Sequence, residues 1–363
     1  MRKSDCPSVP NILLLALGVA AMIAAAACAD ASSRRDRAGQ DPPPPSVLIP
    51  NIDDDDGDGR PDGSAAPLAV GADDDVLQVR VVPDTKLPRG ATVRVEIAGP
   101  WTPFARAFVR TASPDGPRFA PSPVEIDRAD AGGKGVVIGV EATDFASPDR
   151  PPTFEVKALF STREGRTLDE KRIPCRVAPF LLSSCLDPAD EVQVVGTKAT
   201  GPFIRGLEPL VGAAGARLEI VEDASIPEHD VWIQDAVEIG TATDGKRVMR
   251  VALHGNRGRE LDAVVAKRML GRDSGVIRKG DFRGREAQWI DWYGNLEVSP
   301  AVTANGRNYV NGRFYAGTQN ERAMHPDVVA FLEAQGAQGP VLWLDTSWLV
   351  IGHVDETVSW VPS

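Results

Sequence analysis

The sequence predicts an α+β protein in which an antiparallel β-sandwich precedes a mixed region of strands and helices. Three observations carry that expectation. Residues 76 to about 177 are short apolar/polar alternations separated by Pro, Gly and Asp turns, with no helical period between them. Beyond Pro179 strand-like and helix-like runs alternate. The length of 363 residues and a hydrophobic fraction of 42% suit about two domains.

Taken in order, the chain opens on Arg2 and Lys3, followed by an apolar run from Ile12 to Ala27 that ends in Ala25-Ala26-Ala27-Cys28. Small residues abutting cysteine form a bacterial lipoprotein signal, with residues 1–27 removed and Cys28 lipidated. An ordinary signal peptide or an uncleaved anchor is the alternative, and in each case the mature chain leaves the cytoplasm. The expected location is therefore exported and lipid-anchored at a bacterial membrane. Cys6 goes with the signal, which leaves Cys175 and Cys185 as a pair that could close a disulfide in an oxidising compartment.

Residues 28–75 read as a tether rich in Pro and Asp, with Pro42 to Pro45 favouring extension. Within it lies Asp54-Asp55-Asp56-Gly57-Asp58-Gly59-Arg60-Pro61-Asp62. Asp54, Asp56, Asp58 and Asp62 match an acidic calcium loop, in which carboxylates at alternate positions converge on one hard cation and glycine permits the turn. The bidentate Glu of a full EF-hand is missing, and a solvated acidic linker is the other reading.

The sandwich is expected over 76–178, from runs such as Val76–Val82, Val93–Ile97 and Val136–Val140. In the second region Val192–Val195 and Leu218–Val221 read as strands, and Val237–Gly240 and Val248–Val251 as a hairpin around Asp244-Gly245. Pro326 to Gly336 reads as a short helix, with proline in its first turn and glycine past its end. His353 and Asp355 lie in an apolar run. If that run is a strand, they share one face.

The charge balance, 40 basic against 51 acidic residues for a net −11, argues against nucleic acid as a partner and is compatible with cationic substrates or calcium. Acids sit among apolar residues in Asp230–Glu238, in Tyr293–Pro300 and at His353/Asp355. Singly, each has an ordinary structural explanation. Together with Gly255-Asn256-Arg257-Gly258 and Cys175–Phe180, these segments resemble the protein-arginine deiminase family in order and approximate spacing, from about Arg166 to Ser363.

The resemblance implies a fold, an activity and a site. The fold would be an immunoglobulin-like β-sandwich followed, over 179–363, by the N-terminal part of a pentein, an α/β propeller. The activity would be calcium-dependent hydrolysis of peptidyl-arginine to peptidyl-citrulline and ammonia, so the partner would be a protein or peptide bearing arginine. Asp235 and Asp355 match the carboxylates that grip the guanidinium, and His353 matches the general acid and base. Trp232 matches the wall of the substrate channel, and Arg257 an arginine that binds substrate backbone. Gln234, Glu238, Tyr293, Leu296 and Glu297 match one calcium site, Tyr293 and Leu296 through main-chain carbonyls. A second family site would need oxygen ligands where this chain has Ala236, Ala252 and Leu253, and only Asn256 survives there.

The family attacks with a cysteine thiolate near its C-terminus. This chain has no cysteine after Cys185. The expectation is a propeller cut short before its nucleophile. A catalytically inactive, exported calcium- and peptide-binding protein is the competing expectation.

Overall fold

Alternating apolar positions between residues 46 and 177 pair into two sheets that share one core. This computed structural model describes residues 44–64, 75–111, 118–126, 135–280, 282 and 287–361, so the expected signal peptide and Cys28 lie outside the described residues. In chain order the first strands are β1 (Ser46–Leu48), β2 (Leu77–Val81), β3 (Thr92–Ile97), β4 (Ala105–Thr111), β5 (Arg118–Pro121), β6 (Val124–Glu125), β7 (Val136–Ala142), β8 (Thr153–Ser161) and β9 (Thr167–Val177). One sheet has the order β1-β9-β8-β3-β6 and the other β2-β7-β4-β5. Val93 and Val95 of β3, Ile138 and Val140 of β7, and Val156, Ala158 and Phe160 of β8 meet in a single buried cluster. Their spacing of two is what a pleated strand with one buried face requires.

Residues 45–64, grouped with the tether for their Pro and Asp content, are folded. Strand β1 lies parallel to β9, with Ser46 opposite Cys175. Leu48, Ile49 and Ile52 are buried. Ile52 packs so closely on Gly275 that a Cβ there would sit 2.5 Å from its side chain. Burying three large aliphatic side chains outweighs the local preference of proline for an extended, solvated chain.

The second half is mostly strand with a few helices. Its elements are β10 (Leu181–Leu182), β11 (Glu191–Val195), α1 (Gly201–Ala213), β12 (Arg217–Val221), α2 (Ile233–Ala236), β13 (Val237–Thr243), β14 (Val248–His254), α3 (Glu260–Met269) and β15 (Ser274–Arg278). There follow β16 (Leu296–Val298), β17 (Val302–Ala304), β18 (Arg307–Tyr309), β19 (Phe314–Thr318), α4 (Pro326–Ala334) and β20 (Leu342–Asp345). A unit recurs. Strand β13 is antiparallel to β14, which is parallel to β15 across α3. Likewise β16 is antiparallel to β19, which is parallel to β20 across α4. The pair β11 and β12 is parallel across α1. Each helix is thus a crossover returning the chain to the same edge of its sheet.

The expected hairpin forms, with Thr243 opposite Val248 and Gly245 at φ +88°. Helix α4 also forms where proline and glycine bracket it, and the His325 ring accepts the Asp327 N–H at its start. Two expectations fail. Cys175 and Cys185 are both free thiols, the first buried in the core the two sheets share and the second exposed. The other concerns residues 349–356, which are not a strand. Gly352 has φ +88°, and the Gln319 amide donates to the Leu349 and Val350 carbonyls. The Thr346 hydroxyl donates to the Gly352 carbonyl at 2.6 Å, and Glu356 accepts the Gly352 and His353 N–H groups. Side chains nearby take the backbone groups that a neighbouring strand would need. Of the apolar residues that suggested a strand, Val350 and Ile351 face outward, at 89% and 41% exposed, while Val354 is buried.

Candidate active site

One turn of helix, α2, delivers Asp235 to the foot of β13. The turn stops because Val237 is already extended, at φ −155°. Asp235 is left buried at 7% exposure, with Glu238 one strand residue further on. Opposite, a tight turn over Tyr293–Asn295 leads into β16 and brings the Gly294 backbone under Asp235, whose Oδ1 accepts the Gly294 N–H at 3.3 Å. The bend after Gly352 supplies the third side, and the Asp355 N–H donates to the Gly294 carbonyl at 3.2 Å.

Three side chains converge on Gly294. A Cβ placed there would lie 2.7 Å from His353 Nδ1, 2.8 Å from Asp235 Oδ1 and 2.8 Å from Asp355 Oδ2. His353 is 5% exposed, and its Nε2 lies 2.6 Å from the Trp289 carbonyl. A carbonyl can only accept, so Nε2 carries the proton and Nδ1 faces the site, 3.6 Å from Asp235 Oδ1. Trp292 meets the imidazole edge-on at 6.3 Å between ring centroids.

The electrostatics are those of two carboxyls crowded together in a desolvated site. Burial holds the Asp235 carboxyl above its ordinary range, against opposing pulls from His353, Arg257, the Gly294 N–H and Arg259. Asp355 is also raised, by loss of hydration at its carboxyl and by repulsion from Asp235, with His353 pulling the other way. A planar cation entering between the two carboxylates would relieve both, and a guanidinium can offer each a pair of N–H donors.

Arg257 stands elsewhere than the sequence suggested. Its side chain is fully enclosed, with Nε donating to Asp262 at 2.8 Å and the two terminal nitrogens to Asp230 at 3.2 and 3.4 Å. A terminal nitrogen lies 4.0 Å from Asp235 Oδ2. This arginine backs Asp235 from behind rather than facing a ligand. A fully buried charge needs several carboxylate partners, and Asp230 and Asp262 supply them from within the fold. Trp232 is 60% exposed at the start of α2.

Beside the site, the expected metal residues form an oxygen-rich patch. Glu238 Oε2 is buried with no hydrogen-bond partner. Burial first, then repulsion from Glu297 and Asp355, raises the Glu238 carboxyl well above its ordinary range, and Glu297 is raised by burial and Asp355. Gln234 Nε2 donates to Glu297 Oε1 at 2.8 Å. The Tyr293 phenol points away, donating to the His254 carbonyl at 3.3 Å, so only main-chain oxygens of Tyr293 and Leu296 could serve. An orphaned buried carboxylate oxygen beside a second raised carboxyl fits a hard cation. Ala236, Ala252 and Leu253 are packed in apolar clusters, and the Asn256 Nδ2 donates to the Lys279 carbonyl at 2.9 Å.

In the acidic loop, carboxylate oxygens of Asp54, Asp56 and Asp58 lie within 4.8 Å of one another. They cap the loop's own backbone: Asp54 accepts from the Asp58 and Gly59 N–H groups, and Asp62 from that of Asp55. Sequence reasoning missed Trp292, Arg259 and Asp262, and gave no role to Asp230 and Gly294 within the segments it singled out. Gly294 carries no side chain to draw attention. Arg259 would have been found by asking which of two nearby arginines stays exposed, a question of packing.

A sequence model of the protein-arginine deiminase family matches residues 167–363. Among curated proteins, the chain is 34% identical over 234 residues to human protein-arginine deiminase type-4, covering 62% of this chain and 35% of that protein. It is 37% identical over 193 residues to human type-3, covering 52% and 28%. It is 32% identical over 262 residues to mouse type-1, covering 68% and 38%. The chain thus spans about a third of the length of the relatives it matches.

Proposed function

The chain belongs to the protein-arginine deiminase family, and from that membership we propose that its second half binds the guanidinium of peptidyl-arginine and presents it for hydrolysis to peptidyl-citrulline and ammonia. The convergence of Asp235, His353 and Asp355 on Gly294 carries this reading. Asp235 and Asp355 accept the guanidinium N–H donors from two sides and fix the electrophilic carbon. Starting as the imidazolium, with its Nε2–H held by the Trp289 carbonyl, His353 gives its Nδ1 proton to the departing ammonia and, now neutral, takes one from the attacking water. Trp232 walls the entrance, and Arg257 keeps Asp235 in place.

The family's chemistry needs a thiolate. Cys175 is sealed in the sandwich core with its thiol pushed up to about 12 by burial, and exposed Cys185 lies 3.6 Å from the Trp360 carbonyl. The residues described therefore support ligand binding and proton transfer. Binding without turnover is the second reading, and the placement of the two described thiols, one buried in the core of the first half and one exposed beside Trp360, favours it for the residues described.

Calcium in this reading is held by Glu238, Glu297 and Gln234 with main-chain oxygens of Tyr293 and Leu296, and by Asp54, Asp56, Asp58 and Asp62 in the acidic loop. Bound there, it would neutralise the carboxylates crowding the floor of the site. The first half reads as an immunoglobulin-like module and the second as the opening blades of a pentein. Export, with lipid on Cys28, completes the proposal. Release of citrulline from an arginine peptide, dependent on calcium and abolished by Asp355→Ala, tests the catalytic reading. Saturable peptide binding without citrulline supports the second.

A further inference from the structure

The two arginines flanking Gly258 differ in a way that matters for what reaches the site. Each of the three guanidinium nitrogens of Arg257 donates to Asp230 or Asp262, and none of its side chain is exposed. The Arg259 side chain is 37% exposed and makes no hydrogen bond among the described residues. Its one ionic contact is a loose 3.6 Å to Asp230 Oδ1, an oxygen already bound to Arg257.

Arg259 is nevertheless held in position. Its backbone caps α3, and its guanidinium carbon lies 4.5 Å from the centroid of the Trp292 ring. Trp292 in turn meets the His353 ring, and Arg259 is among the charges felt by Asp235. A guanidinium laid against an aromatic face keeps its flat fork of N–H donors free at the edge, the geometry that pairs with a carboxylate.

We propose that Arg259, carried on Trp292, receives a carboxylate borne by the arginine-containing ligand, and so selects ligands with an acidic group close to the target arginine. This rests on the reading of Asp235 and Asp355 as the guanidinium site. The carboxylate has two sources: the α-carboxylate of a C-terminal arginine, or the side chain of an acidic residue next to an internal arginine.

The test is calorimetric titration of the full chain, in calcium, with three ligands. N-acetyl-arginine amide has no carboxylate, N-acetyl-arginine has a terminal one, and N-acetyl-arginyl-aspartyl amide has an acidic neighbour. At least one carboxylate ligand is expected to bind about tenfold more tightly than the amide, the scale of one charge-assisted bidentate contact. Arg259→Gln is expected to bring that ratio to about one, and Arg259→Lys to keep only part of it, since a point charge lacks the fork. Because a ratio is read on one protein, a reduced folded fraction does not imitate the effect. Preference for N-acetyl-arginine assigns the terminal carboxylate, and preference for the arginyl-aspartyl ligand assigns the acidic neighbour. A wild-type ratio of one, or a preference that survives Arg259→Gln, overturns the inference while the guanidinium site stands. Failure of all three ligands to bind wild type overturns both.

Discussion

At the scale of single residues, burial of ionisable groups makes checkable demands. Cys175 is fully enclosed, and burial raises its thiol from 9.0 to about 12. The folded state keeps the proton longer than the unfolded state does. Its stabilising effect is therefore complete below pH 9 and is lost as pH rises from there toward 12. Between pH 8 and pH 10 the wild type is expected to lose roughly 1.4 kcal/mol more stability than Cys175→Ala, one pKa unit's worth, in urea denaturation. Equal losses in the two proteins would show that the thiol is not enclosed. Glu238 makes the opposite kind of demand, because its Oε2 is buried without a partner. Glu238→Gln is expected to raise stability without calcium by about 1–2 kcal/mol and to shrink the stabilisation that calcium confers. Thermal unfolding with and without calcium measures both, and a variant that still responds fully to calcium would remove Glu238 from the metal site.

At the scale of elements, patterning revealed what local periodicity controls. The Asp244-Gly245 hairpin, α4 between Pro326 and Gly336, and the alternating strands of the first half all follow from short-range rules. Two segments did not. Residues 349–356 look like a strand because they are apolar, yet Gln319, thirty residues away, together with nearby Thr346 and Glu356, bends that segment and satisfies its backbone. Residues 45–64 look like a linker because they are rich in Pro and Asp, yet Ile52 finds a site over Gly275 more than two hundred residues away. Each error includes a contact that no window of neighbouring residues contains, Gln319 in the first and Gly275 in the second. Ile52→Ala is expected to cost about 2–4 kcal/mol, the range for a buried aliphatic side chain. A cost below about 0.5 kcal/mol, as for a surface position, would return the segment to the status of a linker.

At the scale of the molecule, the recurrence of β13-β14-α3-β15 in β16-β19-α4-β20 explains why the site forms where it does. Asp235 precedes the first strand of one unit and Gly294 the first strand of the next, so equivalent corners of neighbouring units bring them together. The motifs bearing Asp235, His353 and Asp355 were legible as residue types in order. Their meeting point was not, because Gly294 offers only space, and nothing in the sequence shows that the Arg257 side chain turns onto Asp230 and Asp262. The central claim is that this meeting point receives a guanidinium. It is tested most directly by calorimetric titration of wild type and Gly294→Ala, in calcium, with an arginine peptide and its citrulline counterpart, which has the same shape but no charge. Wild type is expected to bind the arginine peptide and not the citrulline peptide, and Gly294→Ala, which sets a methyl among the three side chains, to bind neither. Equal binding of both peptides by wild type, or undiminished arginine binding by a folded Gly294→Ala, would contradict the account.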